Sequence, residues 1–168
     1  MSVRQELSPT KPTRNETESW LLNKLNRYVS SSTVECNRFF ENNFSKPYEC
    51  LTYTDIKFHL EGDNLMIDFS TNLVEYNDRA QEEFNFHRKI IIPLKDLNYL
   101  GFITTNSISF TTKYSAIRIT DNPGKSSTKM FFKLWFETDQ EDNLATRFDK
   151  AMLNLKSYLK NGKSKETF

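Results

Sequence analysis

Two histidines and two aspartates are the side chains of this chain best suited by type to bind a metal ion or to move protons. His59 alternates with Phe58 in a strand-like stretch, His87 lies in another, and Asp55 or Asp68 could share a sheet face with them. Metal sites made from such ligands usually need three convergent groups. The spacing here does not require that convergence, so we expect ordinary strand histidines, with no metal and no cofactor.

Carboxylates could serve acid–base catalysis only in a suitable environment. A glycosidase-like pair needs one buried acid with a raised pKa beside an ionised partner. Most of the acids in question fall in polar, loop-like sequence, and no Ser or Cys stands in a nucleophile motif. We therefore predict a non-enzyme without catalytic residues. The acids considered are Asp63, Asp68, Glu75, Asp78, Glu82 and Glu83.

One short string, Asn122 to Ser126 (NPGKS), resembles a phosphate-binding loop. That loop requires a glycine at the position held here by Ile119, and it must open a helix whose N-terminus faces the phosphate. The sequence that follows is strand-like. We predict a hairpin turn at this string.

The composition favours one neutral globular domain. The 168 residues carry 23 basic and 22 acidic side chains, which argues against a nucleic-acid partner because such proteins usually have a clear basic footprint. Aromatic residues make up 14% of the chain and can close a core. A basic series near the C-terminus is expected to be a solvated helix face and tail: Lys156, Lys160, Lys163 and Lys165.

The cysteines and the N-terminus bear on location. Cys36 and Cys50 lack zinc-like spacing, so we expect two free thiols; a disulfide would require export. The polar N-terminus lacks the apolar stretch of a signal peptide, and no segment has the length of a membrane span. The prediction is a cytoplasmic protein, exported only if a leader was trimmed.

Two helices frame the predicted domain. Residues 1–13 are expected to be a flexible tail, 14–162 one globular domain and 163–168 a basic tail. Thr13 and Glu16 have capping-box spacing for a first helix, whose apolar face carries Leu21, Leu25 and Tyr28. Thr138 and Glu141 have the same spacing before a second helix that Gly162 should stop. Its apolar positions are Leu144, Phe148, Met152, Leu155 and Leu159.

The segment between the helices favours antiparallel strands. The pattern over 34–47 is compatible with a short helix or a packed loop, and the β region is expected to begin near Leu51. Alternation then predicts a hairpin turning at 61–64, a longer strand ending near Pro93, and short strands up to an aromatic one at 129–137 (KMFFKLWFE) that pairs with 115–120. This gives about seven strands in an α+β fold, an antiparallel half-barrel or sandwich.

The element order over residues 51–160, with the stretch IIIPLKDLNYLGF reading as strand, tight turn, strand, resembles the pleckstrin-homology-like superfold. That resemblance implies a terminal helix capping a bent sandwich and a platform for protein binding. Its inositol-lipid function is disfavoured, because the first hairpin turn (EGDN) is acidic. Lipocalin-like and helix-grip folds remain alternatives. The chain also looks like many uncharacterised small bacterial proteins that begin with a short helix, a likeness that implies no activity.

The aromatic strand supplies the candidate interaction surface. Phe132, Leu134 and Phe136 share the side expected to form core, whereas Phe131, Lys133 and Trp135 share the other. We expect the second side to pack under the N-terminal helix; exposed, it would be a partner surface. The predicted function is a binding or scaffold module for a protein or peptide, with a homodimer left open. The alternative is a carrier of a small apolar ligand in a barrel cavity, and an enzyme comes third.

Overall fold

The computed structural model describes residues 10–29, 32–41, 44–76, 80–101 and 106–161. It confirms the α+β class, with a curled antiparallel half-barrel between an N-terminal and a C-terminal helix. The described residues hold nine strands, against about seven predicted. The elements are α1 Arg14–Tyr28, β1 Ser32–Glu41, β2 Phe44–Glu61, β3 Asn64–Tyr76, β4 Gln81–Pro93, β5 Leu97–Gly101, β6 Ser107–Thr112, β7 Ile117–Asn122, β8 Ser126–Lys129, β9 Phe131–Trp135 and α2 Leu144–Asn161.

The strands form two antiparallel sheets. Six strands pair in the order β1-β2-β3-β4-β7-β8, and three pair in the order β5-β6-β9. The predicted aromatic strand is divided at Met130: β8 pairs with β7, as expected, but β9 pairs with β6 in the other sheet. Met130 alone separates β8 from β9, whereas residues 112–116 lie opposite it. The chain therefore passes from one sheet to the other at this point. The predicted hairpin at 61–64 is confirmed, with Gly62 at φ 59°.

Aromatic side chains fill the space between the sheets. Phe69 of β3 stacks on Phe132 of β9 with ring centroids 6.3 Å apart, and Tyr53 meets Phe69 edge-on at 4.7 Å. Phe136 contacts Phe148 of α2 at 5.6 Å. All of these side chains are buried. Since each buried ring removes a large apolar area from water, a few of them hold the sheets and the second helix together.

The first strand is where the sequence prediction of a helix or loop over 34–47 is wrong. β1 pairs with β2 through most of its length, and the β region begins at Ser32 instead of Leu51. Among the described strands β1 has no second neighbour, and Val34, Glu35, Asn37 and Arg38 are all exposed. An edge strand with exposed side chains does not need alternating apolar residues, which explains why this part of the sequence lacks the usual strand signal.

A disulfide bond joins β1 to β2, so the prediction of two free thiols is wrong. Cys36 and Cys50 are directly opposite each other in the strand register, and their sulfur atoms are bonded. The signal was missed because the intervening residues were not recognised as a hairpin. Once they form one, the two cysteines face each other.

Both helices bury the predicted positions. The capping box of α1 is confirmed: the Thr13 amide donates to Glu16 Oε2 at 2.8 Å, and Thr13 Oγ1 accepts from the Glu16 amide at 3.3 Å. Leu21, Leu25 and Tyr28 are buried as expected. The apolar face of α2 is also confirmed, with Leu144, Phe148, Met152 and Leu155 buried and Leu159 partly buried.

The start of α2 differs from the prediction. A short 3-10 turn occupies Thr138–Gln140, and the helix begins only at Leu144. The Glu141 carboxylate is engaged elsewhere: it accepts hydrogen bonds from Lys24 and from the Tyr28 hydroxyl, the latter at 2.6 Å. It also pairs with Arg147 at 3.1 Å. Glu141 therefore links α1 to the entry of α2 instead of capping it. The predicted stop at Gly162 lies outside the described residues.

The ends of the predicted domain are only partly described. Residues 10–13 lie against α2, where Lys11 Nζ donates to Ser157 Oγ at 2.8 Å and the Tyr158 hydroxyl donates to the Pro12 carbonyl at 2.6 Å. Residues 1–9 lie outside the described residues, and so does the predicted basic tail with Lys163 and Lys165. Lys156 donates to the Leu97 carbonyl. No helix among the described residues has the length and apolar character needed to span a membrane.

Candidate functional site

The outer face of β9 is exposed. Phe131 is 43% exposed and Trp135 is 50% exposed, whereas Phe132, Leu134 and Phe136 on the inner face are buried. The expectation that the outer face packs under the N-terminal helix is therefore wrong. That helix instead packs against α2 and β2. We call Phe131, Lys133 and Trp135 the β9 surface.

The backbone of β9 is hydrogen-bonded on one side. The Phe136 amide donates to the Asn106 carbonyl, and the Thr112 amide donates to the Met130 carbonyl, both at 2.9 Å. Even-numbered residues of the strand thus bond toward β6. Because successive peptide groups of a strand point in opposite directions, the N–H and C=O groups of Phe131 and Lys133 point away from it.

No backbone partner for those four groups of Phe131 and Lys133 is found within the described ranges. Pairing resumes just beyond them, where Val29 bridges Phe136 and the Glu137 amide donates to the Tyr28 carbonyl at 2.9 Å. Among the residues that the structure describes, the middle of β9 is consequently an open strand edge. Such an edge can accept another extended segment.

The charge along the outer face of this edge is mixed. Residues 107–136 contain five basic side chains and a single acidic one, Asp121, and the exposed Glu137 follows directly. Asp121 is neutralised by Arg88 of β4, which forms a two-pronged ion pair with it at 2.6 and 2.8 Å. Lys133 has no carboxylate within ion-pair distance among the described side chains. The β9 surface therefore combines exposed aromatic rings with an unpaired cation.

A concave feature of the described structure lies between the two helices. It is an open groove of about 580 Å³, and Trp20 packs on Phe148 at its side with ring centroids 6.2 Å apart. Arg147 lies over the Trp20 ring at 5.3 Å. Sequence reasoning missed this groove because it depends on how α1 and α2 are placed against each other. The lining residues are Pro12, Glu16, Thr17, Trp20, Arg147, Lys150, Ala151 and Asn154.

The two histidines do meet around one carboxylate. His59 Nδ1 lies 3.4 Å from Asp68 Oδ2, and His87 Nε2 lies 3.3 Å from Asp68 Oδ1. Their side chains are 42% and 53% exposed, so the three groups lie on an open sheet face and not in a pocket. Asp55 is not part of the group; it is exposed in a bulge with φ 55°.

Among the described residues, neither the other candidate acids nor the string at 122–126 forms a metal-binding or phosphate-binding site. Asp63 pairs with Arg14 at 2.9 Å, and Glu75, Glu82 and Glu83 are exposed; Asp78 lies outside the described residues. Across the described parts of the chain, no group of three or more His, Cys, Asp or Glu side chains is arranged to hold a metal ion. The string at 122–126 forms the predicted hairpin turn between β7 and β8.

Comparisons with known proteins do not identify a family. No protein-family model, no curated protein and no solved structure matches this chain.

Proposed function

We propose that this chain is a non-enzymatic binding module that recognises another protein or a peptide through the β9 surface. The observation that carries the proposal is the exposure of Phe131 and Trp135 on a strand whose opposite face is fully buried. Large aromatic residues are enriched among the residues that dominate binding energy at interfaces. The pleckstrin-homology-like element order adds support, because that superfold often serves as a platform for protein binding.

The two aromatic side chains are large enough to matter energetically. Covering the exposed parts of both rings would remove roughly 200 Å² of apolar surface from water, which is worth about 5 kcal/mol at most. Association itself costs a comparable amount. The rings therefore supply attraction, and the charge of Lys133 and the open strand edge would have to supply selectivity.

The packing between the sheets favours this proposal over a ligand carried inside the barrel. Phe69, Phe110 and Phe132 occupy the space that such a ligand would need. A module with a filled core presents its binding groups outside, as the β9 surface does.

Photocrosslinking in cells of the protein's own host tests the proposal. A benzophenone amino acid placed at Phe131 or at Trp135 should capture a protein in a discrete, reproducible band. Phe84 is the matched control, because it is 45% exposed and lies on β4 of the other sheet. The proposal fails if positions 131 and 135 give no band, or give the same bands as position 84.

The groove between α1 and α2 supports a second candidate, the binding of a small apolar ligand. Its volume of about 580 Å³ falls within the range of ligand pockets, and Trp20 and Ala151 contribute apolar surface to it. Native mass spectrometry of protein from its own host should then show an added mass of a few hundred daltons. Ala151→Phe should abolish that mass by filling the groove, whereas Leu153→Phe, on the exposed side of the same helix, should retain it.

A further inference from the structure

We propose that the partner of the β9 surface is an extended segment that pairs with the free edge of β9 at Phe131 and Lys133 and carries an acidic residue two positions before an apolar one. This inference rests on the proposed function and specifies the partner's conformation and charge. The open edge determines the conformation. The side chains of the β9 surface determine the pattern of residues.

The edge can form up to four new backbone hydrogen bonds. The N–H and C=O groups of Phe131 and Lys133 face away from β6 and have no backbone partner in the described parts of the chain. A segment that satisfies them must itself be extended, because only then do its peptide groups recur at the same spacing. A helical partner would leave these groups unpaired.

The side chains of the β9 surface alternate as aromatic, cationic, aromatic. In a paired strand, every second side chain lies on the same face, directly across from its neighbour. Opposite Phe131 an added strand would place an apolar residue, and opposite Lys133 it would place a carboxylate. The added strand stops short of Trp135, because Val29 already pairs with Phe136 next to it. The expected pattern is acidic at position i and apolar at i+2, counted along an antiparallel partner.

Charge argues against a second copy of this chain as the occupant. Two β9 edges paired antiparallel about Lys133 would set like charges directly opposite each other, which destabilises a strand pair. Lysine on an exposed edge is also a common device against self-association. An acidic segment turns the same cation into an attractive contact.

Binding of a synthetic nonapeptide tests the inference. The probe has glutamate at position 2, valine at position 4, and serine or threonine elsewhere, so that it ends before the position taken by Val29. We expect saturable binding, measured by NMR titration, with shifts centred on residues 131–135. Replacing the glutamate by lysine should weaken binding by about three- to tenfold, the range expected for reversing one exposed ion pair.

Protein variants give the matched comparison. Lys133→Glu should weaken binding of the glutamate peptide and strengthen binding of the lysine peptide. Lys125→Glu makes the same change in net charge on the exposed turn between β7 and β8, and should leave both affinities within about twofold. Equal effects of the two substitutions would overturn the acidic-residue assignment.

Backbone methylation tests strand pairing separately. In one peptide the amides of residues 2 and 4 are N-methylated, and in a second those of residues 3 and 5. An added strand directs one set toward β9 and the other toward solvent, so only one of the two peptides should lose binding, by at least tenfold. If both methylated peptides lose binding, or if neither does, the strand-pairing inference is overturned. The same follows if the unmodified nonapeptide does not bind at 1 mM.

Two further outcomes would overturn the inference in favour of another occupant. Binding to anionic phospholipid vesicles that is lost in Lys133→Glu would indicate a membrane surface. A dimer in sedimentation that Lys133→Ala strengthens, by removing the like charges, would indicate a second copy. If crosslinking at positions 131 and 135 captures a protein but no nonapeptide binds, this inference fails and the proposed function stands. If neither occurs, both fail.

Discussion

Removal of the disulfide between β1 and β2 is the structural prediction that can be worked out furthest. The change is the double substitution of Cys36 and Cys50 by serine. The bond joins residues 14 apart in sequence and therefore closes a loop of about 15 residues. A cross-link of that length restricts the unfolded chain by about 3 kcal/mol in the loop-entropy account.

The position of β1 indicates which part of the fold should lose stability. β1 is an edge strand among the described strands, Val34 is 56% exposed, and the Tyr53 hydroxyl donates a 3.3 Å hydrogen bond to Glu35. Without the disulfide, β1 should open locally before the rest of the fold. We expect the free energy of unfolding to fall by about 2–3 kcal/mol and the β1 amides to exchange much faster.

Urea denaturation and hydrogen exchange measure the two effects. The control is the wild-type protein with reductant, which should match the double variant, and the double variant should not respond to reductant. Unchanged stability together with unchanged exchange of the β1 amides would refute the reasoning. Because disulfides persist mainly in oxidising compartments, counting thiols in protein from its own host also tests the predicted cytoplasmic location.

Three further substitutions test the packing, the turn and the charge link. Phe148→Ala should lower the free energy of unfolding by about 3–5 kcal/mol because the ring is fully buried, whereas Phe131→Ser should change it by less than about 0.5 kcal/mol; urea denaturation measures both. Gly62→Ala should cost about 1 kcal/mol in the same assay, since φ is 59° and a Cβ there would meet no other atom. A hydrogen bond from Lys24, and to a smaller extent one from Tyr28, lowers the pKa of the Glu141 carboxyl group from 4.5 to about 2. Its carboxylate therefore stabilises the fold above pH 4.5 and loses this effect as the pH falls toward 2, so denaturation from pH 6 to pH 2 should show a smaller loss in Glu141→Gln than in the wild type.

The elements with a strong periodic pattern were predictable from sequence. The buried faces of both helices, the capping box at Thr13 and the hairpin at Gly62 follow from local spacing and are confirmed. β1 was missed because an edge strand with exposed side chains does not need alternation. The disulfide was missed with it, since Cys36 and Cys50 become neighbours only through that hairpin.

The face of the candidate surface was predictable from sequence, but its surroundings were not. Alternation separated Phe131, Lys133 and Trp135 from the core face, and the structure leaves Phe131 and Trp135 exposed. The assumption that α1 would cover them was wrong because α1 buries its apolar face against α2 and β2 instead. The open edge depends on β9 pairing with β6 and not with β7, and this switch at Met130 has no local sequence signal.

Amide hydrogen exchange along β9 tests the central claim most directly. The account predicts that in the free protein the Phe131 and Lys133 amides exchange quickly while those of Phe132 and Leu134 are protected, and that the nonapeptide slows the first pair at least tenfold. The account is contradicted if the Phe131 and Lys133 amides are already protected in the free protein. The edge would then be occupied, and β9 would not be the site where a partner binds.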